Sequence, residues 1–443
     1  MSWRRDFWLV FAGSGLATVA TRASVAAYPL LALLLTGSPV LAGWVRFASM
    51  APALVFTLPF GVLVDRYDRR RLLVISQLGR AAAIGAFAVT IAMGGPWLPV
   101  LCVTVVVEGA LTVLHQRALD PAIAEIVPKE HVTWAVSRNE GAQAAATLLG
   151  QPAGGFLLGL GNAFPFMAGL VAQVAAAVTI LSTRGTRAMA MHGRREAHAL
   201  PDGSAAESSA AESSAAQNRA AESSAAESSA AESGAAGTGR GVRGVARDMA
   251  EGARWIWRDA FLRLAVTVFT STNVLWQMLG ILLIVLARSE GASPAAIGLI
   301  LGATGVGGVV GTMVAPRVLQ HVGPVTVLRL ACWLWLGAIA IVAFAVGPLM
   351  LAVGWGCVGL VAGILDVATM TYMISSTPQE LMGRVTSVPA MLAFGLSPLG
   401  ALAGGYLLEL WGPRPVLLVA AVAMAAIAVL ATLTRVPAHP SGA

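Results

Sequence analysis

The chain has 443 residues, of which 57% are hydrophobic and only 12% charged, with a mean hydropathy of +0.76. Soluble domains carry about 25% charged residues, so this composition excludes an ordinary soluble protein and predicts a membrane protein. The formal net charge of +7 does not indicate nucleic-acid binding, because the basic residues are concentrated in alternate connections between apolar segments.

Apolar segments of about 20 residues, the length that crosses a hydrocarbon core as a helix, follow one another along the chain. They predict twelve spans, at 9–35, 40–64, 72–93, 97–114, 141–160, 164–182, 261–287, 295–315, 325–346, 349–374, 387–409 and 415–434. The first is too long for the apolar region of a signal peptide, so we expect it to stay in the membrane. Cys102, Cys332 and Cys357 fall inside spans and read as small buried residues, so no metal site, cofactor or disulfide is predicted.

Basic residues precede span 1, follow span 12, and fill the connections between spans 2 and 3, 4 and 5, 6 and 7, 8 and 9, and 10 and 11. The opposite connections hold almost nothing basic except Arg288 and Arg414. This is the positive-inside pattern of an even-numbered bundle, and it predicts that both termini are cytoplasmic.

The connection between spans 2 and 3 carries the sharpest motif, Gly61-Val-Leu-Val-Asp65-Arg66-Tyr-Asp68-Arg69-Arg70-Arg71. It resembles the signature loop of the major facilitator superfamily, Gly-x-x-x-Asp-Arg-x-Gly-Arg-Arg, with Asp68 in place of glycine. We therefore expect Asp68 to make the tight turn in left-handed geometry, which Asp tolerates. The arginines are expected to pair with acidic residues at the end of span 4. The resemblance implies a cytoplasmic gate made by Gly61, Asp65, Arg66, Arg69, Arg70, Glu125 and Arg384, and the alternative is a plain positive-inside loop.

Four ionisable residues lie inside predicted spans, where each needs a cavity or a partner: Arg22, Arg46, Glu108 and Asp366. A low-dielectric site favours the protonated form of a carboxyl group, which makes Glu108 and Asp366 candidates for proton coupling. Arg22 is a third candidate as a counter-ion, unless it binds an anionic substrate with Arg46. The alternatives are a buried structural ion pair or, for Arg46, a side chain that reaches the interface. His115 is expected to be interfacial.

Two further segments narrow the resemblance. Residues 117–130, together with the second-half loop Pro378-Gln-Glu380-Leu-Met-Gly383-Arg384-Val385, resemble a bacterial subfamily that includes the enterobactin exporter and macrolide efflux proteins. Span 5 carries Gly150-Gln-Pro152-Ala-Gly154-Gly155, which is similar to the Gly-Pro-x-x-Gly-Gly motif of drug–proton antiporters with the proline displaced by one place. The alternative for this motif is ordinary close packing of helices.

The chain also contains a break and a repeat. Residues 202–239 hold near-repeats of Ser-Ala-Ala-Glu-Ser and predict a disordered linker. Gly150, Gly154 and Gly155 recur at a constant offset as Gly400, Gly404 and Gly405. The repeat predicts a duplicated six-helix unit with its substrate site between the halves. We expect halves at 1–183 and 259–436, a cytoplasmic linker at 184–258 and a tail at 437–443.

Span 7 brings Asn273, Trp276 and Gln277 together within about two helical turns. With Arg22 and Arg46 they are predicted to line the substrate cavity, because polar groups beside an aromatic ring suit an amphiphilic ligand. The chain has no phosphate-binding Gly-x-x-x-x-Gly-Lys-[Ser/Thr] loop, no His-Glu-x-x-His and no Gly-x-Ser-x-Gly, so no enzyme is predicted.

We therefore expect an all-α membrane protein with the major facilitator fold, built from twelve helices in two pseudo-symmetric halves. Its predicted function is secondary transport by alternating access, namely proton-coupled efflux of a small amphipathic antibiotic, siderophore or secondary metabolite. The alternatives are a proton-coupled nutrient importer on the same fold and a non-transporting membrane scaffold or sensor. The expected partners are the substrate, protons and the lipid bilayer of the bacterial plasma (inner) membrane, with the protein acting as a monomer.

Overall fold

A computed structural model describes residues 2–128, 131–182 and 242–436. The predicted low-complexity segment at 202–239 and the tail at 437–443 lie outside these residues. The described part forms thirteen α-helices: α1 Ser2–Thr36, α2 Pro39–Arg66, α3 Arg69–Ala92, α4 Trp97–Ile126, α5 Val132–Leu160, α6 Phe164–Ser182, α7 Val242–Arg258, α8 Ala260–Ser289, α9 Pro294–Leu319, α10 Pro324–Ala343, α11 Pro348–Ser376, α12 Gln379–Trp411 and α13 Pro413–Leu433.

All helices except α7 correspond in order to the predicted spans, so spans 7 to 12 are α8 to α13. Within the described residues, ten of them are long and apolar enough to cross a membrane. Helices α5 and α12, with 29 and 33 residues, are not among these ten. Glycine, proline and polar residues lower their hydropathy. The all-α fold is confirmed, and the count of twelve membrane crossings stays a prediction.

The same helix start occurs once in each half. Ser38 caps the N-terminus of α2 and Ser293 that of α9, and a proline follows at the first helical position of both. Each serine side chain accepts a hydrogen bond from a backbone N–H in the first turn. Serine at the cap and proline after it are favoured there, because they satisfy or remove an N–H that has no helical partner. The turns before α2 and α9 are therefore equivalent.

Two helix pairs make most of the contact between the halves: α2 packs against α12, and α5 packs against α9. Because α9 repeats α2 and α12 repeats α5, the second pair is the pseudo-symmetric copy of the first. Within the halves, α1 packs against α5 and α6, and α8 packs against α12. The two pseudo-symmetric halves thus meet along a duplicated contact.

Glycines allow these crossings. A Cβ at Gly43 would lie 2.6 Å from the Ala401 carbonyl oxygen, and one at Gly298 would lie 2.6 Å from the Gly155 Cα. Small residues let helix backbones approach closely in a membrane. The repeated set predicted from the sequence lies at such crossings: Gly150 and Gly154 against α1, Gly400 and Gly404 against α8, Gly155 and Pro152 against α9, and Gly405 against α2.

The turn between α2 and α3 corrects one expectation. Asp68 has φ −57° and ψ 115°, so the prediction of left-handed geometry is wrong. Its side chain instead accepts hydrogen bonds from the backbone N–H groups of Arg70 at 2.8 Å and Arg71 at 3.3 Å. The first N–H groups of a helix have no partner inside the helix, and an aspartate at the N-cap supplies one. Asp68 therefore starts α3.

Candidate functional site

A cavity of about 410 Å³ lies where the two halves meet. Helices α1, α2 and α5 of the first half and α8, α9 and α11 of the second half line it. Small-molecule sites in proteins measure about 300–1,000 Å³ and tend to lie between helices of bundles. The position agrees with a substrate site between duplicated halves.

A hydrogen bond crosses this cavity between the halves. The Nε of Arg46, on α2, donates to the Oε1 of Gln277, on α8, at 3.3 Å. The Nε2 of Gln277 lies 3.3 Å from the Sδ of Met50. Arg46, Gln277 and Trp276 were predicted to line the cavity, and the structure places all three on its lining.

Asp366 projects its carboxylate toward the cavity from α11. Among the described residues it forms no hydrogen bond or ion pair. The side chain is exposed because it faces this open space. The cavity therefore contains a guanidinium group from the first half and, from the second, a carboxylate that has no partner among the described residues.

Tryptophans form the apolar part of the lining. The ring of Trp276 meets that of Trp355 edge to face, with 5.6 Å between centroids, and meets Trp335 in the same way behind it. Edge-to-face pairs hold aromatic rings in a defined orientation. Trp355 was not predicted, although it lies three helical turns before Asp366 and so shares its face of α11.

Two predicted cavity residues do not line the cavity. The Nδ2 of Asn273 donates to the Phe269 carbonyl oxygen at 2.9 Å, inside its own helix. Arg22 lies on α1 where α5 crosses at Gly150, close enough to Arg46 for mutual repulsion. Within the described part of the chain, Arg22 has no hydrogen-bond or ion-pair partner.

A second group of polar side chains lies inside the first half, away from the cavity. We call it the polar layer, because on α1, α3, α4 and α6 it separates two apolar clusters of the core. Its members come from four helices and are all buried: Thr21, Ser24, Tyr28, Ser76, Gln77, Arg80, Glu108, His115 and Gln173. Buried polar groups are costly without hydrogen bonds, so each of these contacts affects stability.

Glu108 is the centre of the polar layer. The Tyr28 hydroxyl donates to its Oε2 at 2.5 Å, and the Nη2 of Arg80 lies 3.8 Å from its Oε1. Arg80 also donates to the Thr21 hydroxyl and, at 3.5 Å, to the Oε1 of Gln77. Glu108 and Arg80 are each 2% exposed. This geometry matches the buried ion pair that the sequence left open, and the proton-coupling role stays a proposal.

Arg80 was missed in the sequence, although a charge nine residues after Arg71 lies inside predicted span 3 and so needs a partner. His115 was expected at the interface but is buried, 4% exposed, with its Nδ1 3.4 Å from the Ser76 hydroxyl. The reason is that α4 continues to Ile126, which places His115 three turns inside the helix.

The predicted gate is described in part. The Nη2 of Arg70 donates to the Leu181 carbonyl oxygen at 2.7 Å, at the end of α6. Arg66 is exposed, and a Cβ built at Gly61 would meet no described atom within 4 Å. Arg69 belongs to the same segment, at the start of α3. Three other residues of the predicted gate have side chains that the structure does not describe: Asp65, Glu125 and Arg384.

The family model of the Major Facilitator Superfamily matches residues 10–397 and 264–443 of this chain. The chain belongs to the major facilitator superfamily. It is therefore a multi-pass membrane transporter of small molecules and not an enzyme. The resemblance of the Gly61–Arg71 motif to the family signature is confirmed.

The relatives and the solved structures agree with this assignment. The chain is similar to the multidrug efflux pump Tap of Mycobacterium tuberculosis, with 25% identity over 417 residues, 92% of this chain and 88% of that protein. It also resembles macrolide efflux protein A of Streptococcus pyogenes, with 23% identity over 197 residues, 43% of this chain and 48% of that protein.

Two solved transporters share the fold. A mutant of the nucleoside transporter NupG superimposes with a TM-score of 0.65 at 11% identity, over 97% of this chain and 99% of that chain. A bacterial homologue of the human lysosomal transporter Spinster, captured inward-facing and unoccupied, gives 0.65 at 12% identity, over 98% and 97%. At such identities the likeness shows the fold alone.

Proposed function

We propose that this chain is a proton-coupled exporter of small amphipathic compounds that works by alternating access. The observation that carries the proposal is the cavity between the halves. It combines tryptophan rings, a guanidinium group and the Asp366 carboxylate in a chain that is similar to proteins named as a multidrug efflux pump and a macrolide efflux protein. Each chain holds a complete cavity, so we propose that it acts as a monomer.

The lining defines the class of substrate. Trp276 and Trp355 offer aromatic surface, while Arg46, Gln277 and Asp366 offer charge and hydrogen bonds. A ring system with at least one polar or charged group fits this division, because each part finds its own kind of surface. Antibiotics, siderophores and related secondary metabolites have this character.

Asp366 and Glu108 are the candidate proton-coupling residues. Asp366 shares the cavity with the substrate, whereas Glu108 lies in the polar layer. We propose that a proton entering from outside neutralises one of these carboxylates and favours the state that releases the substrate. Arg22, which has no partner among the described residues, is the candidate counter-ion in another state.

The conformation supports the proposal that the cavity is closed toward the outside and opens toward the cytoplasm. The Nη1 of Arg288 donates to the Leu33 carbonyl oxygen at 2.7 Å, and the Nε1 of Trp44 donates to the Tyr406 hydroxyl at 3.1 Å. Both bonds join the halves near the end of the bundle that the positive-inside pattern places outside. We propose that the gate around Asp65 and Arg384 closes the cytoplasmic side in the alternate state, with both termini in the cytoplasm.

The test is accumulation of a fluorescent cationic dye in cells that lack their major efflux pumps. Expression should lower dye accumulation, and a protonophore should abolish the difference. D366N should reduce efflux, while E409Q, which changes an exposed carboxylate at the end of α12, should not. Raised accumulation that depends on the proton gradient would favour the importer, and no gradient-dependent change with any probe would favour the scaffold.

A further inference from the structure

The polar layer is a property of one half only. Among the described residues of the second half, the buried polar side chains are Thr272, Thr377 and Ser397, none of them charged. The duplicated fold therefore does not need a polar core. A buried Glu–Arg pair is weak evidence for stability, because removing the two charges from water is costly. Because these buried charges occur in one half and stability does not account for them, we look for their role in function.

Six atoms in the polar layer are buried and make no hydrogen bond to a described residue, and one of them is the Ser24 hydroxyl oxygen, which can donate or accept. Three are acceptors, namely the Oε1 of Glu108, the Oε1 of Gln173 and the Nε2 of His115. Two are donors, namely the Nε2 of Gln77 and the Nε of Arg80. Donors and acceptors that lie in one buried region without meeting are the usual partners of internal water. The 3.8 Å between Arg80 and Glu108 is also a distance that one water bridges.

The hydrogen bonds of Ser76 determine which ring nitrogen of His115 carries hydrogen. The Ser76 hydroxyl donates its proton to the Leu73 carbonyl oxygen at 2.8 Å, so toward His115 it can only accept. The Nδ1 of His115 therefore carries hydrogen, and in the neutral ring Nε2 is a bare acceptor. A buried imidazole with a free Nε2 can accept a hydrogen bond from a neighbouring water.

The polar layer is closed at both ends in this conformation. The Tyr28 ring stacks on Phe166 with 5.1 Å between centroids and meets Phe87 edge to face at one end. The apolar cluster that includes Leu73 and Leu114 covers the other end. Along α4, His115 lies two turns from Glu108, about 10 Å by the helical rise of 1.5 Å per residue. The layer is thus enclosed at both ends, with Glu108 nearer the first end and His115 nearer the second, and we call this enclosed region the compartment.

Helix α1 separates this compartment from the substrate cavity and contacts both. Thr21, Ser24 and Tyr28 face the polar layer, whereas Val25 and Pro29 face the cavity. Proline lacks a backbone N–H and weakens the helix ladder at its position, so α1 can bend next to Tyr28. A change in the Tyr28–Glu108 hydrogen bond therefore reaches the cavity through one helix.

We infer that the polar layer is a hydrated proton-binding site separate from the substrate cavity, with Glu108 as its titrating group, His115 as a hydrogen-bond acceptor for its water and Tyr28 as the positioning residue that transmits the state of Glu108 through α1. This rests on the proposed transport function. One proton binds the Glu108 carboxylate from water, which turns its charge from −1 to 0 and leaves Arg80 without a counter-charge, and the same proton returns to water when the compartment opens. Among the described residues, the titratable and charged groups facing the compartment are Tyr28 from α1, Arg80 from α3, and Glu108 and His115 from α4; α6 contributes only the neutral Gln173.

The first test uses the full chain in proteoliposomes with an imposed pH gradient. E108Q should lose gradient-driven dye transport at least tenfold while its dye affinity, measured by fluorescence anisotropy, stays within twofold of the parent. Y28F and H115Q should each shift the pH of half-maximal transport by at least half a unit. The matched controls change exposed residues of the same types, E409Q, Y67F and H321Q, and should leave the profile unchanged. Gradient-driven transport retained in E108Q, or unchanged profiles in Y28F and H115Q, would overturn the inference.

A second readout separates this inference from the transport proposal. Infrared difference spectra of the purified protein between acidic and alkaline buffer should contain a carbonyl band of a protonated carboxyl group that E108Q removes and E409Q retains. Y28F should shift this band to higher frequency, because the carboxyl group loses a hydrogen bond. These spectra need no substrate, so they remain decisive if no dye is transported. Absence of an E108Q-sensitive band would overturn the inference even if efflux were demonstrated.

Discussion

Replacing Gly298 by alanine tests the closure between α5 and α9. The new methyl carbon would lie 2.6 Å from the Gly155 Cα and 3.0 Å from the Gln151 carbonyl oxygen. Carbon atoms in ordinary contact are about 3.5–4.0 Å apart, so the two helices must separate by about 1 Å. Overpacking of this kind costs about 1–3 kcal/mol. At about 1.4 kcal/mol per tenfold change, the outside-closed state that we propose loses about 5- to 150-fold in relative population.

The measurement is the rate at which an impermeant thiol reagent, added outside, labels a cysteine in the cavity. The reporter is A362C on α11, in a background without Cys102, Cys332 and Cys357. G298A should raise the labelling rate by the population factor. G337A is the matched control, because Gly337 is exposed on α10 and a Cβ there would meet nothing within 4 Å. Equal labelling in G298A and the parent, or an equal rise in G337A, would refute the reasoning.

Three further outcomes are expected. D68A should lower the free energy of unfolding by about 1 kcal/mol through loss of the α3 cap, whereas D68N should retain most of it, as denaturant titration in detergent would measure. R80M should destabilise by about 3–5 kcal/mol because Glu108 stays buried without its partner, and the double variant R80M/E108Q should recover much of the loss; an additive double variant would contradict this. W276A should weaken dye binding by about 1 kcal/mol or more, measured by anisotropy, because an aromatic contact to the ligand is lost.

The local features of the fold were largely predictable, because they depend on short stretches of sequence. Hydropathy located the long helices, and the recurrence of Gly150, Gly154 and Gly155 as Gly400, Gly404 and Gly405 indicated the duplicated crossings. Segment ends were less well determined. Predicted span 4 ended at residue 114, whereas α4 extends to Ile126, and this error alone placed His115 at the interface. Hydropathy falls at the polar residues that follow, and it does not show that the helix continues.

The site was predictable only where single residues were unusual in their surroundings. Glu108 and Asp366 stand out as charges in apolar segments, but their environments depend on packing. Glu108 meets Tyr28 across 80 residues of sequence, and Arg46 meets Gln277 across 231. Which face of α1 meets the cavity is decided by neighbouring helices, and its own sequence shows little amphipathic character. The sequence therefore could not predict which polar residues lie in the polar layer and which line the cavity.

The contact between the halves has the properties that alternating access requires. At α2–α12 and α5–α9 the helices meet through glycines, backbone against backbone, so the halves can part without unpacking large interdigitated side chains. Among the described residues, the hydrogen bonds across the interface are few, from Arg46, Gln277, Arg288 and Trp44, and each contributes about 0.5–1.5 kcal/mol net, or about 1.5–3 kcal/mol where the donor is charged. Breaking these hydrogen bonds therefore costs a few kcal/mol, within the range that binding of one proton or one ligand can offset. The duplication supplies this weak symmetric contact, whereas the charged groups differ between the halves: the polar layer lies in the first and Asp366 in the second.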